Sequence, residues 1–224
     1  MNVAVLTLTR DRLAYTQHCF DALHTNAGCH YHHYVFDQGS TDGTREWLVK
    51  EFKADRLHKV LLSKNNLGIS RGINKLLGEL DHDYDVVVKI DNDCEITIPF
   101  TLVDVADLVD DGYAILSPRV LGLNNPPAAT GRFEVDGQSI LDVPQIGGIF
   151  LAAPGWVYNA FRYDESGPVW GMDDVEICRW FRSRGGRVGY VESLTVNHYE
   201  TTSGQHARYP DYFKRTLAEG KPGL

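Results

Sequence analysis

Asp91-Asn92-Asp93 follows the run Val86-Val87-Val88-Lys89-Ile90, so two carboxylates lie one residue apart directly after an apolar, strand-like segment. Such a pair can hold a hard cation through one oxygen ligand, leaving its other positions to phosphate oxygens and water. A cation held there would neutralise charge growing on a departing diphosphate. A turn that merely favours Asp and Asn has the same composition, so the pair alone leaves both readings open. Asp37-Gln38-Gly39-Ser40-Thr41-Asp42-Gly43-Thr44 places another carboxylate, Asp37, at a strand end beside glycines that let a ligand approach the backbone. It reads equally as a turn and a helix N-cap. Asp173-Asp174-Val175-Glu176 is the third constellation. An aspartate near its reference pKa of about 4 is a weak base. Asp173 and Glu176 would raise Asp174 by like-charge repulsion, whereas a helix N-terminus would stabilise its anion. Asp173 and Glu176 also have the spacing of a capping box, so a base and a cap both fit.

These residues need elements to position them. Val3 to Leu8 predicts a first strand, and Asp11 to about Ala27 a helix with Leu13, Cys19, Phe20 and Leu23 on one side. A strand at Tyr34-Val35-Phe36 is followed by a helix capped at Thr41 or Asp42, then a strand over Leu57–Leu62 and a helix over Ile69–Leu80. Asp85 to Ile90 is the most strand-like run. Alternation of this kind predicts a parallel sheet with helices on both faces, whose ligands bind at the carboxyl ends of the strands. Thr9–Arg12, Asp37–Ser40 and Asp91–Asp93 all fall at those ends. Downstream the pattern mixes. Helices are expected near Phe100–Asp110, Asp174–Ser183 and Asp211–Ala218, with strands near Tyr113–Ser117, Phe133–Val135, Ile149–Ala152, Val188–Val191 and Leu194–Val196.

The 224 residues suit one α/β domain, and a hydrophobic fraction of 43% with 23% charged residues is ordinary for a globular core. Lys and Arg number 22 against 30 Asp and Glu, a net charge of -8 that disfavours nucleic-acid partners. Cys19, Cys29, Cys94 and Cys178 form no C-x-x-C pair and read as packed thiols of a reducing compartment. No signal peptide or transmembrane segment is recognisable, so a cytoplasmic location is expected. His30, His32 and His33 precede the second strand; neighbours on a strand point to opposite faces, which argues for surface positions rather than a metal cluster. Trp47, Phe52, Trp180 and Phe181 are assigned to the core.

The run from Val35 to Thr44, the Thr9-Arg10-Asp11-Arg12 segment, Asn65-Asn66-Leu67-Gly68 with Arg71-Gly72-Ile73-Asn74, and Asp91-Asn92-Asp93 occur in the order seen in family 2 glycosyltransferases. Gly147-Gly148-Ile149-Phe150-Leu151, the segment Trp170–Trp180, Tyr190-Val191-Glu192 and Asn197-His198 extend the resemblance over Val3 to His198. The chain thus resembles a compact member of that family. The resemblance implies a GT-A fold: a Rossmann-like, mostly parallel central sheet flanked by helices, with a small C-terminal acceptor-side subregion. It implies one domain over 1–224, comprising a nucleotide-binding half (1–95), an acceptor and catalytic half (96–200) and a tail (201–224).

The resemblance also assigns roles. Thr9, Arg12, Asp37, Asn66, Arg71, Asp91 and Asn92 would surround the nucleotide. Asp93 would bind Mn²⁺ or Mg²⁺, with His198, otherwise an ordinary strand-end histidine, completing the metal site. Gly147, Gly148, Trp170 and Asp173 would border the acceptor, and Asp174 would act as base. Trp156 and Trp170, flanked by Gly and Pro, are candidates to stack on a sugar face. Gln38 stands where Asn or Asp is commoner, and Asp173 where the family has Glu. The function implied is inverting, metal-dependent transfer of one sugar from a nucleoside-diphosphate sugar, uridine-linked by family habit, to an acceptor hydroxyl. That hydroxyl belongs to a glycan, a lipid-linked saccharide or another compound. The alternative is a non-catalytic nucleotide- or sugar-binding module, or a degenerate transferase. A nucleotidyltransferase would want a glycine-rich loop after the first strand, and a haloacid-dehalogenase-type phosphohydrolase would carry its Asp pair there.

Overall fold

The computed structural model describes residues 1–111, 113–123, 127–166, 173–200 and 202–219. Its first half alternates strand and helix: β1 (Val3–Thr9), α1 (Leu13–Asn26), β2 (His32–Gln38), α2 (Thr44–Lys53), β3 (Lys59–Ser63), α3 (Ile69–Leu77) and β4 (Val86–Ile90). β3, β2, β1 and β4 lie side by side, and each neighbouring pair is parallel. Every residue of β4 is buried, as a parallel strand covered on both faces must be. α3 packs through Ile73, Leu76 and Leu77, spaced three and four residues apart on one face.

The second half continues the same sheet with mixed polarity. It comprises β5 (Cys94–Glu95), α4 (Thr101–Asp111), β6 (Ala114–Leu121), β7 (Gly131–Val135), β8 (Gln138–Asp142), β9 (Phe150–Pro154), α5 (Gly155–Ala160), α6 (Asp173–Arg182), β10 (Arg187–His198), α7 (Thr202–Arg208) and α8 (Pro210–Glu219). The order across the sheet is β3-β2-β1-β4-β9-β6-β10-β8-β7, with β5 on β10. β9 runs antiparallel to β4 and β6, while β10 is parallel to β6. The expected parallel sheet is therefore the first half of the sheet, β3-β2-β1-β4, and antiparallel pairing extends it.

The two short strands expected near Val188 and Leu194 are one strand, β10, whose register on β6 shifts between Val191 and Thr195. That irregularity lets one strand pair with β8 before the shift and β5 after it, which sets His198 opposite Cys94 and so beside Asp93. Gly155 makes the tight exit from β9 possible: a Cβ there would lie 1.7 Å from the Tyr84 carbonyl oxygen.

Some aromatic and histidine positions differ from expectation. Phe52 is 45% exposed, because α2 buries Leu48 and Glu51 and turns Phe52 outward. His33 is buried and hydrogen-bonds Thr7 Oγ1 at 3.0 Å, correcting its surface assignment. His32, next to it, faces the opposite way, as strand alternation requires. Trp156 stacks on Tyr113 just after β9, whose Pro154 pairs with Val86 at the amino end of β4. It is therefore remote from the carboxyl ends where a sugar would sit. All four cysteines are free thiols, and no helix among the described residues is long and apolar enough to cross a membrane.

Candidate active site

At the carboxyl ends of β1 and β4 the chain opens into a cleft of about 350 Å³, lined by Thr9, Arg12, Asn66, Asp91, Asn92, Asp93 and His198 among others. The exit from β1 aims Arg12 into it. Asp11 and Arg12 take positive φ angles of 49° and 57°, which non-glycine residues adopt only when held there. The holding contacts come from the β2–α2 turn: the Asp11 N–H donates to Ser40 Oγ at 2.7 Å, and Asp11 Oδ1 accepts the Thr41 N–H at 2.7 Å.

Asp93 is the centre of a polar knot. Its Oδ2 accepts from the Arg12 guanidinium at 3.0 Å and from the Gln205 amide at 3.3 Å, and lies 3.5 Å from His198 Nε2. Arg12 also donates to Asn92 Oδ1 at 3.1 Å and Gln205 Oε1 at 2.7 Å, while the Asn92 amide donates to Thr16 Oγ1 at 2.9 Å. Burial alone would push the Asp93 carboxyl up, but Arg12 and His198 outweigh it and hold the group below the usual carboxylate range. Burial likewise disfavours a charged His198, and the bond to Asp93 overrides it, raising the imidazole.

A second charged group joins this one through Asp91. Lys89, fully enclosed in β4, places Nζ 2.9 Å from Asp91 Oδ1, 3.4 Å from Asp173 Oδ2 and 2.6 Å from the Gly148 carbonyl oxygen. Burial works against the ammonium, yet Asp91 and Asp173 hold it above its ordinary value. A Cβ on Gly148 would meet Lys89 Nζ at 2.7 Å and Asp173 Oδ2 at 3.3 Å, so the missing side chain is what admits the ammonium. Asp174 follows on the first turn of α6, half-buried, with its Oδ1 accepting the Val175 N–H at 2.8 Å. Burial, then the Asp173 charge, pushes its carboxyl up. Glu176 does not close a capping box there: its carboxylate accepts the Asp164 N–H at 3.0 and 3.2 Å.

The other expected residues divide. Thr9 lines the cleft and bonds Asp37 Oδ1 at 3.4 Å. Asp37 is wholly buried beneath it, with Oδ2 accepting from Gly39 N, Ser40 N and Arg45, each at 3.1 Å. It shapes the turn from below. Asn66 lines the cleft and accepts the Gly68 N–H at 3.0 Å. Gln38, in place of a shorter residue, reaches across to accept the Leu67 N–H at 3.0 Å. Arg71 is turned away, donating to the Glu165 carbonyl at 2.9 Å, because α3 puts Ile73, Leu76 and Leu77 inward and Arg71 outward. Gly147 donates its N–H to the Tyr190 hydroxyl at 3.2 Å. Trp170 lies outside the described residues.

Two contributors escaped the sequence reading. Lys89 had a signal, a lone lysine inside an apolar strand just before the Asp pair. The α7–α8 wall had none: Gln205 grips Arg12, and Tyr212 stacks on the Arg12 guanidinium with its ring centre 4.8 Å away. Arg215 pairs with Asp11. These residues lie in a polar tail with no motif to announce them.

The family described as "Glycosyl transferase family 2" matches residues 4–149, more than half of the chain. No curated protein sequence matches significantly. Among solved structures, GalNAc-T7 with UDP, GalNAc and Mn²⁺ superposes with a TM-score of 0.72 at 15% identity, over 90% of this chain and 44% of that one. TarS 1–349 of S. aureus with UDP-GlcNAc gives 0.69 at 17% identity over 88% and 58%. The mannosyltransferase PcManGT of Pyrobaculum calidifontis with GDP-Man and Mn²⁺ gives 0.66 at 15% identity over 99% and 65%. The chain thus spans less than two thirds of the length of each of these three. The sheet is the GT-A fold that the motif order implied, and the chain belongs to glycosyl transferase family 2.

Proposed function

We propose that this glycosyltransferase moves one sugar from a nucleoside-diphosphate sugar to an acceptor hydroxyl with inversion, using Asp174 as base. The observation that carries this reading is the ion-paired run Asp91–Lys89–Asp173, with Asp93 lining the same cleft as Asp91 and Asp174 beside Asp173 at the start of α6. It supports a donor diphosphate at one end and a reacting hydroxyl at the other. Residues 1–95 would then hold the nucleotide and residues 96–200 the acceptor, with α7 and α8 forming the outer wall.

In the proposed step the acceptor O–H gives its proton to the Asp174 carboxylate as the oxygen bonds to the anomeric carbon. The bond from that carbon to the diphosphate oxygen breaks, and the electron pair leaves with the nucleoside diphosphate. Attack opposite the leaving group inverts the centre. A raised Asp174 is the better proton acceptor, since a base works best with a pKa near the working pH.

The donor set at Asp93 fits a divalent cation. Asp93 Oδ2 and His198 Nε2 converge to 3.5 Å, and a cation there would displace the proton that Asp93 otherwise favours on the imidazole, leaving a carboxylate and a neutral nitrogen as ligands. Asp93 and His198 would hold Mn²⁺ or Mg²⁺, and the cation would offset charge on the departing diphosphate. Neighbours crystallised with Mn²⁺, UDP or GDP-Man support such a ligand set. Arg12 favours a second reading, because its guanidinium already sits at Asp93 Oδ2 and could supply the positive charge itself. Calorimetric titration of UDP, GDP and dTDP with and without Mn²⁺, on wild type and Asp93→Ala, tests both. Metal-dependent binding of one diphosphate, lost in the variant, supports the cation; equal binding without metal supports Arg12. No binding of any nucleotide would sink the transferase reading and favour a degenerate, non-catalytic module.

A further inference from the structure

At the opposite end of the strands from the cleft, by the amino ends of β2 and β3, His32, His58, Asp81 and His82 turn towards one another. One ligand atom from each lies within 4.8 Å of all the others. We propose that these four residues form a second metal site, distinct from the cleft, that takes a zinc-type divalent cation in an N₃O set.

The residues arrive from three segments. His32 opens β2, His58 immediately precedes β3, and Asp81 and His82 lie in the turn between α3 and β4. The His58 N–H bonds the His33 carbonyl at 2.9 Å, which fixes the first two beside each other. Their rings stack with centres 4.0 Å apart. His58 Nε2 lies 2.9 Å from Asp81 Oδ2, and His82 Nδ1 lies 2.6 Å from Asp81 Oδ1. The carboxylate thus already gathers two imidazoles, as an anion shared with a cation would. A tetrahedral zinc ion with bonds of about 2.0–2.2 Å sets its ligand atoms roughly 3.4 Å apart. Small rotations of the two exposed residues, Asp81 and His82, close that difference.

Surrounding groups prepare the ligands. The Tyr34 hydroxyl donates to Asp81 Oδ1 and contacts the Tyr84 hydroxyl at 2.7 Å; Tyr84 in turn meets His32 Nδ1 at 2.6 Å. Hydroxyls in that position orient a carboxylate and an imidazole as outer partners do around bound metals. Three imidazoles and one carboxylate suit zinc, and cobalt as its spectroscopic stand-in, better than the oxygen-seeking Mn²⁺ or Mg²⁺. The ion would tie the α3–β4 turn to the β2 and β3 ends.

The test uses the tag-free full chain, stripped with a chelator, and measures Zn²⁺ affinity by competition with a chromophoric chelator. Wild type is expected to bind one equivalent and to give the intense visible spectrum of tetrahedral Co²⁺. The double variant His58→Ala/His82→Ala should lose at least about 100-fold in affinity, the upper end of what even outer partners are worth. Its far-ultraviolet circular dichroism without metal should match wild type. If that variant does not fold, His82→Ala alone, at an exposed side chain, carries the comparison. Asp93→Asn should keep the equivalent. Absence of binding by wild type, unchanged affinity in the histidine variants, or loss of the equivalent in Asp93→Asn would each overturn the proposal.

Discussion

Arg12 and Asp93 form a buried ion pair at 3.0 Å across 81 residues of sequence, with both side chains about one tenth exposed. Removing one member strands the other in a poorly solvated place, at a cost of about 3–5 kcal/mol. Arg12→Ala is therefore expected to lower the free energy of unfolding by that amount in urea titrations at neutral pH. The folded Asp93 carboxyl is depressed, so its contribution is full above the unfolded value of about 4 and declines as pH falls through the lower folded value. The gap between wild type and Asp93→Asn should close on acidification below about pH 4.

Asp174→Asn keeps the shape of the site and removes the proton acceptor. Transfer is expected to fall about 10²–10⁴-fold, with the diphosphate titration unchanged. Equal loss of nucleotide affinity would assign Asp174 to donor binding instead.

Lys89 lowers Asp174 by its charge, against the opposing push of burial and Asp173. In Lys89→Met that restraint is gone, so Asp174 rises further and the acid limb of the pH–rate profile should move to higher pH. The same change leaves Asp91 and Asp173 without their cation, and the variant should unfold at lower urea. Gly148→Ala pushes a methyl group against the same ammonium, and about 1–3 kcal/mol of destabilisation is expected from such crowding.

His33 supplies an acid sensitivity unrelated to the cleft. Burial pushes its imidazole down to about 3 from an ordinary value of 6.5. Between those values the unfolded chain binds a proton that the folded chain refuses, so stability drops as pH falls from 6.5 toward 3. His33→Gln should flatten that part of the stability profile, read by thermal unfolding at a series of pH values.

Much of the first half was legible because periodicity and chemistry agree there. Val86–Ile90 is apolar and β-branched where a two-face buried strand must be, and the polar runs after β1, β2 and β4 mark the ligand end of a parallel sheet. Asp173 and Asp174 were placed beside Gly148 by motif order, since nothing local shows that residues 25 apart meet. The spacing of Arg71 could not reveal that α3 turns it outward; the Ile73–Leu77 stripe decides that only once the sheet is in place. His58 and His82 were invisible as companions of His32, because strand and turn ends are joined by tertiary packing alone. The α7–α8 wall was illegible for a different reason. Gln205 and Tyr212 act by reaching one arginine, and a polar stretch carries no pattern for such a contact.

That wall has a consequence for how the molecule is made. Arg12 and its partner Gln205 are 193 residues apart. The floor depends on late residues as well: the Tyr199 N–H donates to the Asp93 carbonyl at 2.7 Å, and Cys94 pairs with His198. A nascent chain halted before β10 would therefore lack both the outer wall and the strand that steadies the Asp93 turn, so the cleft is a late product of synthesis.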